Sequence, residues 1–114
     1  KFLAIFLGTE EAMKDWVAMS DVDRKQKEQE GMAAWHAWMD QYKDKIIDGS
    51  PLSKTTRVDM QGTSEVRNEM GAWTLVHADS REEAAQMFLS HPHFMIFPGD
   101  RVEVMECLPI PQAQ

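Results

Sequence analysis

The order of apolar and polar positions divides the chain into alternating strands and helices. Residues 2–7, Phe-Leu-Ala-Ile-Phe-Leu, are apolar at every position, which predicts a strand buried on both faces. Gly8 closes it. Thr9, followed by Glu10 and Glu11, caps a short helix through Trp16, with the acids placed to suit the helix dipole. Ser20 with Asp23 resembles a capping box and opens a long helix to about Lys45. At about 100° per residue, Met32, Trp35, Trp38, Met39, Tyr42 and Ile46 fall on one apolar stripe, the pattern of a helix lying on a sheet. Gly31 weakens the middle of that helix by up to ~1 kcal/mol relative to Ala and allows a bend there.

The second half repeats the alternation. Ile46-Ile47 begins a strand that Asp48-Gly49-Ser50-Pro51 interrupts. Thr56, Val58 and Met60 alternate with Arg57, Asp59 and Gln61, which predicts a strand with one wet face near a sheet edge, and residues 62–70 read as polar loop. Trp73-Thr74-Leu75-Val76 is a further strand, entered through Gly71. Ser80 and Glu83 form a capping box for the last helix, whose apolar face is Ala84, Met87, Phe88 and His91 at i, i+3, i+4 and i+7. Pro92 cannot continue its hydrogen bonding and marks its end. After a Pro98-Gly99 turn, Val102 and Val104 alternate with Glu103 and Met105 in a final strand, and residues 109–114 form an extended tail.

The resulting order, β-α-β-(β)-β-α-β, defines an α+β domain over residues 1–114, with both helices on one face of an antiparallel sheet. A first strand that is apolar on both sides needs a cover for the second face. The simplest cover is the same sheet from another copy, so a homodimer is expected.

Composition narrows the partners. The 114 residues are 43% hydrophobic and 27% charged, ordinary for one globular domain. The net charge of −7, and the dilution of Arg24-Lys25-Gln26-Lys27 by Glu28 and Glu30, argue against nucleic acid. The single Cys107 forms no internal disulfide, which fits a reducing compartment, and its strand-like setting reads as a buried, inert thiol. The apolar run after Lys1 is shorter than a signal peptide's core, and no stretch approaches the ~20 apolar residues of a membrane span. A cytoplasmic protein is expected.

Several blocks resemble the YCII-related proteins. Trp35-His36-Ala37-Trp38-Met39 with Gly49-Ser50-Pro51-Leu52 matches that family's first helix and following strand. Residues 71–80, Glu83-Ala84-Ala85, His91-Pro92-His93 and Val102-Glu103-Val104 match its second half. The resemblance implies a ferredoxin-like βαββαβ sandwich with an extra strand, pairing as a dimeric α+β barrel. It implies little about activity, since most of the family has no assigned reaction and the fold alone does not choose one. The Asp-Gly-Pro-Phe tetrapeptide of one large branch is absent from residues 62–70. Where another branch carries Asp before the helix-ending proline, as half of a suggested His/Asp pair, this chain has His91.

The histidines are the candidate chemistry. His91 lies on an apolar helix face at a C-terminal end, where the helix dipole favours protonation and burial opposes it. Such a group can titrate near neutrality and act as acid or base. The alternative is a core histidine bonded to a carbonyl. His36 flanks the tryptophan stripe with Asp40 one turn on, either as a second polar group or as a surface pair worth only ~0.2–0.5 kcal/mol. His93 reads as a surface or loop-packing residue. A metal site joining His77, His91 and His93 is not expected, because a helix of about 15 Å separates the first two. No phosphate loop, nucleophile elbow or Cys-x-x-Cys occurs, and no cofactor is implied.

Two functions are therefore expected in competition. One is a cofactor-free enzyme of lyase or isomerase type acting on an aromatic or other small organic molecule, with His91 and His36 catalytic and Trp35, Trp38, Asp40 and Phe94 around the ligand. The other is a binding or accessory dimer without turnover, its histidines structural.

Overall fold

The computed structural model describes residues 1–111. Six strands and four helices follow one another as β1 (Phe2–Leu7), α1 (Glu10–Ala18), α2 (Asp21–Gln41), β2 (Ile46–Pro51), β3 (Thr55–Asp59), β4 (Gly62–Val66), β5 (Met70–Val76), α3 (Arg81–Gln86), α4 (Pro92–Met95) and β6 (Arg101–Glu106). Four strands make an antiparallel sheet in the order β2-β5-β1-β6, the ferredoxin-like βαββαβ arrangement. β3 and β4 form a separate two-stranded hairpin inserted between β2 and β5.

The caps read from the sequence form as expected. The side chains of Thr9, Ser20 and Ser80 accept hydrogen bonds from the amides of Ala12, Asp23 and Glu83, each satisfying one orphan donor of a first turn. Strand alternation then sorts the sheet's two faces. Phe2, Ala4, Phe6, Ala72 and Val76 are buried on the helical side, against Trp38 of α2 and Ala84, Met87 and Phe88 of the α3 segment. The indole N–H of Trp38 donates to the Met87 carbonyl at 2.7 Å, tying the two helical layers together inside the core.

The other face carries Leu3, Ile5, Trp73 and Leu75, all only half-buried, and the exposed Met105. Register sets Leu3 opposite both Leu75 and Met105, and Ile5 opposite Trp73, so these side chains form one apolar patch.

Five expectations change. The segment 62–70 is loop only at residues 67–69: Gly62, at φ 125°, opens β4 after a two-residue turn in which the Asp59 carboxylate accepts from the Gln61 amide. β2 shifts register between Ile46 and Asp48 but is not broken there and runs through Pro51, which an edge strand tolerates because the missing N–H faces no neighbour. α2 stops at Gln41 rather than Lys45 and is continuous through Gly31. α3 ends at Gln86, and the chain continues to His91 in tighter i→i+3 turns, among them the Met87 amide to the Ala84 carbonyl and the His91 amide to the Phe88 carbonyl. Cys107, just past β6, is exposed rather than buried. Of the tail, residues 109–111 have no regular structure and residues 112–114 lie outside the described part.

Candidate ligand cavity

The segment from Ser90 to Asp100 connects the two halves of the core. Pro92 starts a helix here instead of only ending one. It occupies the first turn of α4, where its missing N–H costs nothing. His91 is the N-cap of that helix, and its Nδ1 accepts a hydrogen bond from the His93 backbone amide at 3.0 Å. Nδ1 therefore carries a lone pair, and in the neutral ring the proton sits on Nε2.

His91 is sealed from solvent. Its ring centroid lies 4.2 Å from that of Trp35, 4.6 Å from Trp38 and 4.8 Å from Phe6. It stands at 89° to Trp35 and 70° to Trp38, an edge-to-face arrangement of the rings. That aromatic cage is the physical account of Nε2, a buried side-chain atom with no hydrogen-bond partner among the described residues. Burial, and secondarily the neighbouring His93, lower the His91 pKa to about 3. The balance between dipole and burial thus falls wholly to burial, and His91 is neutral at physiological pH rather than titrating near neutrality.

His93 is also buried, not a surface residue. Its Nε2 lies 2.8 Å from the Leu7 carbonyl and 3.0 Å from the Arg101 carbonyl. Carbonyls only accept, so Nε2 carries the proton and donates to both. This bond set pins the ring between the end of β1 and the start of β6 and fixes the tautomer that leaves Nδ1 bare. Burial lowers the pKa of His93, while the two carbonyls and nearby Asp100 pull it back up. No side chain fits at residue 99: a Cβ there would fall 1.9 Å from His93 Cε1 and about as close to both ring nitrogens. Gly99 thus provides the floor on which the imidazole lies.

A second close approach explains Gly31. A Cβ at that position would meet the Phe97 ring at 2.4 Å. Phe97 packs its ring directly on the α2 backbone, between Trp16 at 5.9 Å and Trp35 at 5.8 Å. The glycine is a seat for the loop's aromatic anchor, not a bend.

Between this loop, α2, the β2-β5-β1 side of the sheet and the base of the β3–β4 hairpin lies a half-open cavity of about 960 Å³. That size falls within the ~300–1,000 Å³ of small-molecule sites. Trp35, Trp38, Met39, Phe6 and Phe97 give it an aromatic and apolar wall, and His93 is its imidazole.

Among the residues expected at the site, Trp35 and Trp38 line the cavity. His36 and Asp40 lie on the exposed side of α2, and neither belongs to the wall. Phe94 is exposed, with its ring 5.4 Å from that of His93, and it too lies outside the wall. His91 stands behind Trp35 and Trp38 rather than between them and the cavity. The two candidate catalytic imidazoles, His91 and His36, are not brought together; His91 adjoins His93 instead. The signal for His93 was Pro92 itself, a residue that fits the first turn of a helix and so marks a start as readily as a stop. Among the described residues, no group of three His, Cys, Asp or Glu is arranged to hold a metal ion, and no helix is long and apolar enough to cross a membrane.

Fold and cavity together define the class: a ferredoxin-like α+β unit with a small-molecule-sized cavity between helices and sheet. A solved structure of similar fold is the 5-chloro-2-hydroxyhydroquinone dehydrochlorinase TftG from Burkholderia phenoliruptrix AC1100, in complex with 2,5-dihydroxybenzoquinone. The TM-score is 0.56 at 18% sequence identity, over 94% of this chain and 92% of that one, a likeness of fold. No family model matches the chain, and no curated protein matches it significantly in sequence.

Proposed function

We propose that the chain is a YCII-related homodimer that binds a small, flat organic molecule, aromatic or quinonoid, and transforms it as a cofactor-free enzyme of lyase or isomerase type. The observation that carries this reading is the aromatic-walled cavity of about 960 Å³ with one buried imidazole in its wall. Indole and phenyl faces favour a planar guest through offset or edge-to-face contact. The fold likeness to a dehydrochlorinase whose structure holds 2,5-dihydroxybenzoquinone adds support for that ligand class. The apolar patch on the sheet's open face, Leu3, Ile5, Trp73, Leu75 and Met105, supports the dimer.

A second reading, a binding or accessory dimer without turnover, is favoured by one observation. His91 is bonded to backbone and sealed, as a structural histidine should be.

Calorimetric titration with 4-nitrophenol and with 2,5-dihydroxybenzoquinone tests the reading. Binding at ~1 mM or tighter is expected, with roughly tenfold loss in Trp35→Ala. Absence of binding by the native-sequence protein overturns it. Consumption of a bound ligand, followed by its absorption spectrum, separates enzyme from binding module.

A further inference from the structure

The cavity contains one polar feature whose chemistry is fixed by the fold. His93 Nε2–H is committed to the carbonyls of Leu7 and Arg101, which leaves Nδ1 as an acceptor only. Among the described residues nothing donates to Nδ1, yet it is not among the buried side-chain atoms lacking a partner, so it keeps some access. His93 is one of the residues that line the cavity. Nδ1 is thus an acceptor available to a hydrogen-bond donor on a ligand in the cavity.

We propose that His93 Nδ1 receives the weakly acidic hydroxyl of a neutral phenol or enol bound in the cavity, and takes its proton. This rests on the ligand-binding reading above and assigns that ligand's polar end. An already ionised carboxylate has no proton to donate to a bare nitrogen. An aliphatic alcohol can donate a hydrogen bond but is too weak an acid to surrender its proton to imidazole in the bound ground state. A phenolic or enolic O–H is both a strong donor and part of a flat, apolar molecule suited to Trp35 and Trp38.

In the step itself the ligand O–H bond breaks and its electron pair stays on oxygen. The proton bonds to Nδ1, and the resulting imidazolium continues to donate from Nε2 to the two carbonyls. Desolvation opposes the charged ring, while those carbonyls and Asp100 stabilise it. His93 is then a general base whose orientation and tautomer are set by strand ends instead of by a carboxylate.

Long-range ¹H–¹⁵N spectra of the uniformly labelled full chain provide the test, with 4-nitrophenol as probe at mildly acidic pH, where it is a neutral, nearly colourless phenol. The expected result in the free protein is a protonated Nε2 and a bare Nδ1 on His93. Added probe should move His93 Nδ1 toward the protonated position, leave His91 unmoved, and produce the visible phenolate band. His93→Gln should bind roughly tenfold more weakly, the loss of one hydrogen bond to a polarised partner, and give no phenolate band. If the native-sequence protein binds the phenol with His93 Nδ1 unmoved and no phenolate band, the proposal fails while the cavity reading stands. If it binds no phenol at all, both fail. The spectra of the unsubstituted protein decide the matter even where His93→Gln does not fold.

Discussion

Replacing Gly31 with Ala sets a general rule against a specific contact. In an open helix interior the change should stabilise by ~1 kcal/mol, because Ala loses less backbone entropy than Gly. Here the new methyl would fall 2.4 Å from Phe97 Cζ and 2.5 Å from Cε2, so the ring must move by an ångström or more. Phe97 is flanked by Trp16 and Trp35, and its retreat would disturb two aromatic contacts worth ~0.5–1.5 kcal/mol each. With overpacking costs of ~1–3 kcal/mol set against the helix gain, the net expected effect is a destabilisation of ~1 kcal/mol, or ~4 °C in Tm. Urea or thermal unfolding followed by circular dichroism measures it. Combining Gly31→Ala with Phe97→Leu should recover part of the helix gain, a non-additivity of the kind that neighbouring residues show. A rise in Tm for Gly31→Ala alone would refute the packing of the loop on α2, and with it the location of the cavity's lower wall.

The sealed imidazole makes stability depend on pH. His91 has a folded pKa of about 3 against an ordinary 6.5, so the unfolded chain takes up a proton that the native state refuses. Its contribution is fully present above pH 6.5 and is lost as pH falls toward 3, at ~1.4 kcal/mol per pH unit. His91→Leu should flatten that slope by about one proton between pH 6 and 4 in urea midpoints; an unchanged slope would mean the ring is hydrated or charged in the native state. The open sheet face gives another outcome. Leu75→Lys should convert a dimer to a monomer in sedimentation at micromolar concentration with unchanged circular dichroism, and a monomeric parent protein would remove the basis for a dimer.

The fold was legible because its signals are local and mutually consistent. An all-apolar first strand, three capped helix starts and the stripe through Trp35, Trp38 and Tyr42 each admit one placement in a two-layer sandwich. The hairpin from Thr55 to Val66 was only half legible. β4 reads Gly-Thr-Ser-Glu-Val, with almost no apolar alternation, because neither of its faces meets the main core. Half of the site's wall was legible as well, since Trp35 and Trp38 follow from helix periodicity. The bonding of the histidines was not. The burial of His91 could be read from its apolar face, but its bonding depends on how tightly the chain turns between Gln86 and Ser90, and that is set by packing under α2. The role of His93 depends on two carbonyls, at Leu7 and Arg101, that lie 86 and 8 residues away along the chain. Backbone acceptors leave no trace in a side-chain sequence.

The adjoining imidazoles of His91 and His93 look like a wire for protons, but the bonding makes them an insulator. The nitrogen of His91 nearest to His93 is occupied by a backbone amide, which exchanges no proton on the timescale of catalysis, and the His91 Nε2–H ends among aromatic faces. The inner nitrogen of His93 is likewise closed by two carbonyls. A proton accepted at Nδ1 has a single exit, back into the cavity from which it came. Such a site suits chemistry in which the same proton is returned to another atom of the ligand, or handed to a departing group beside it.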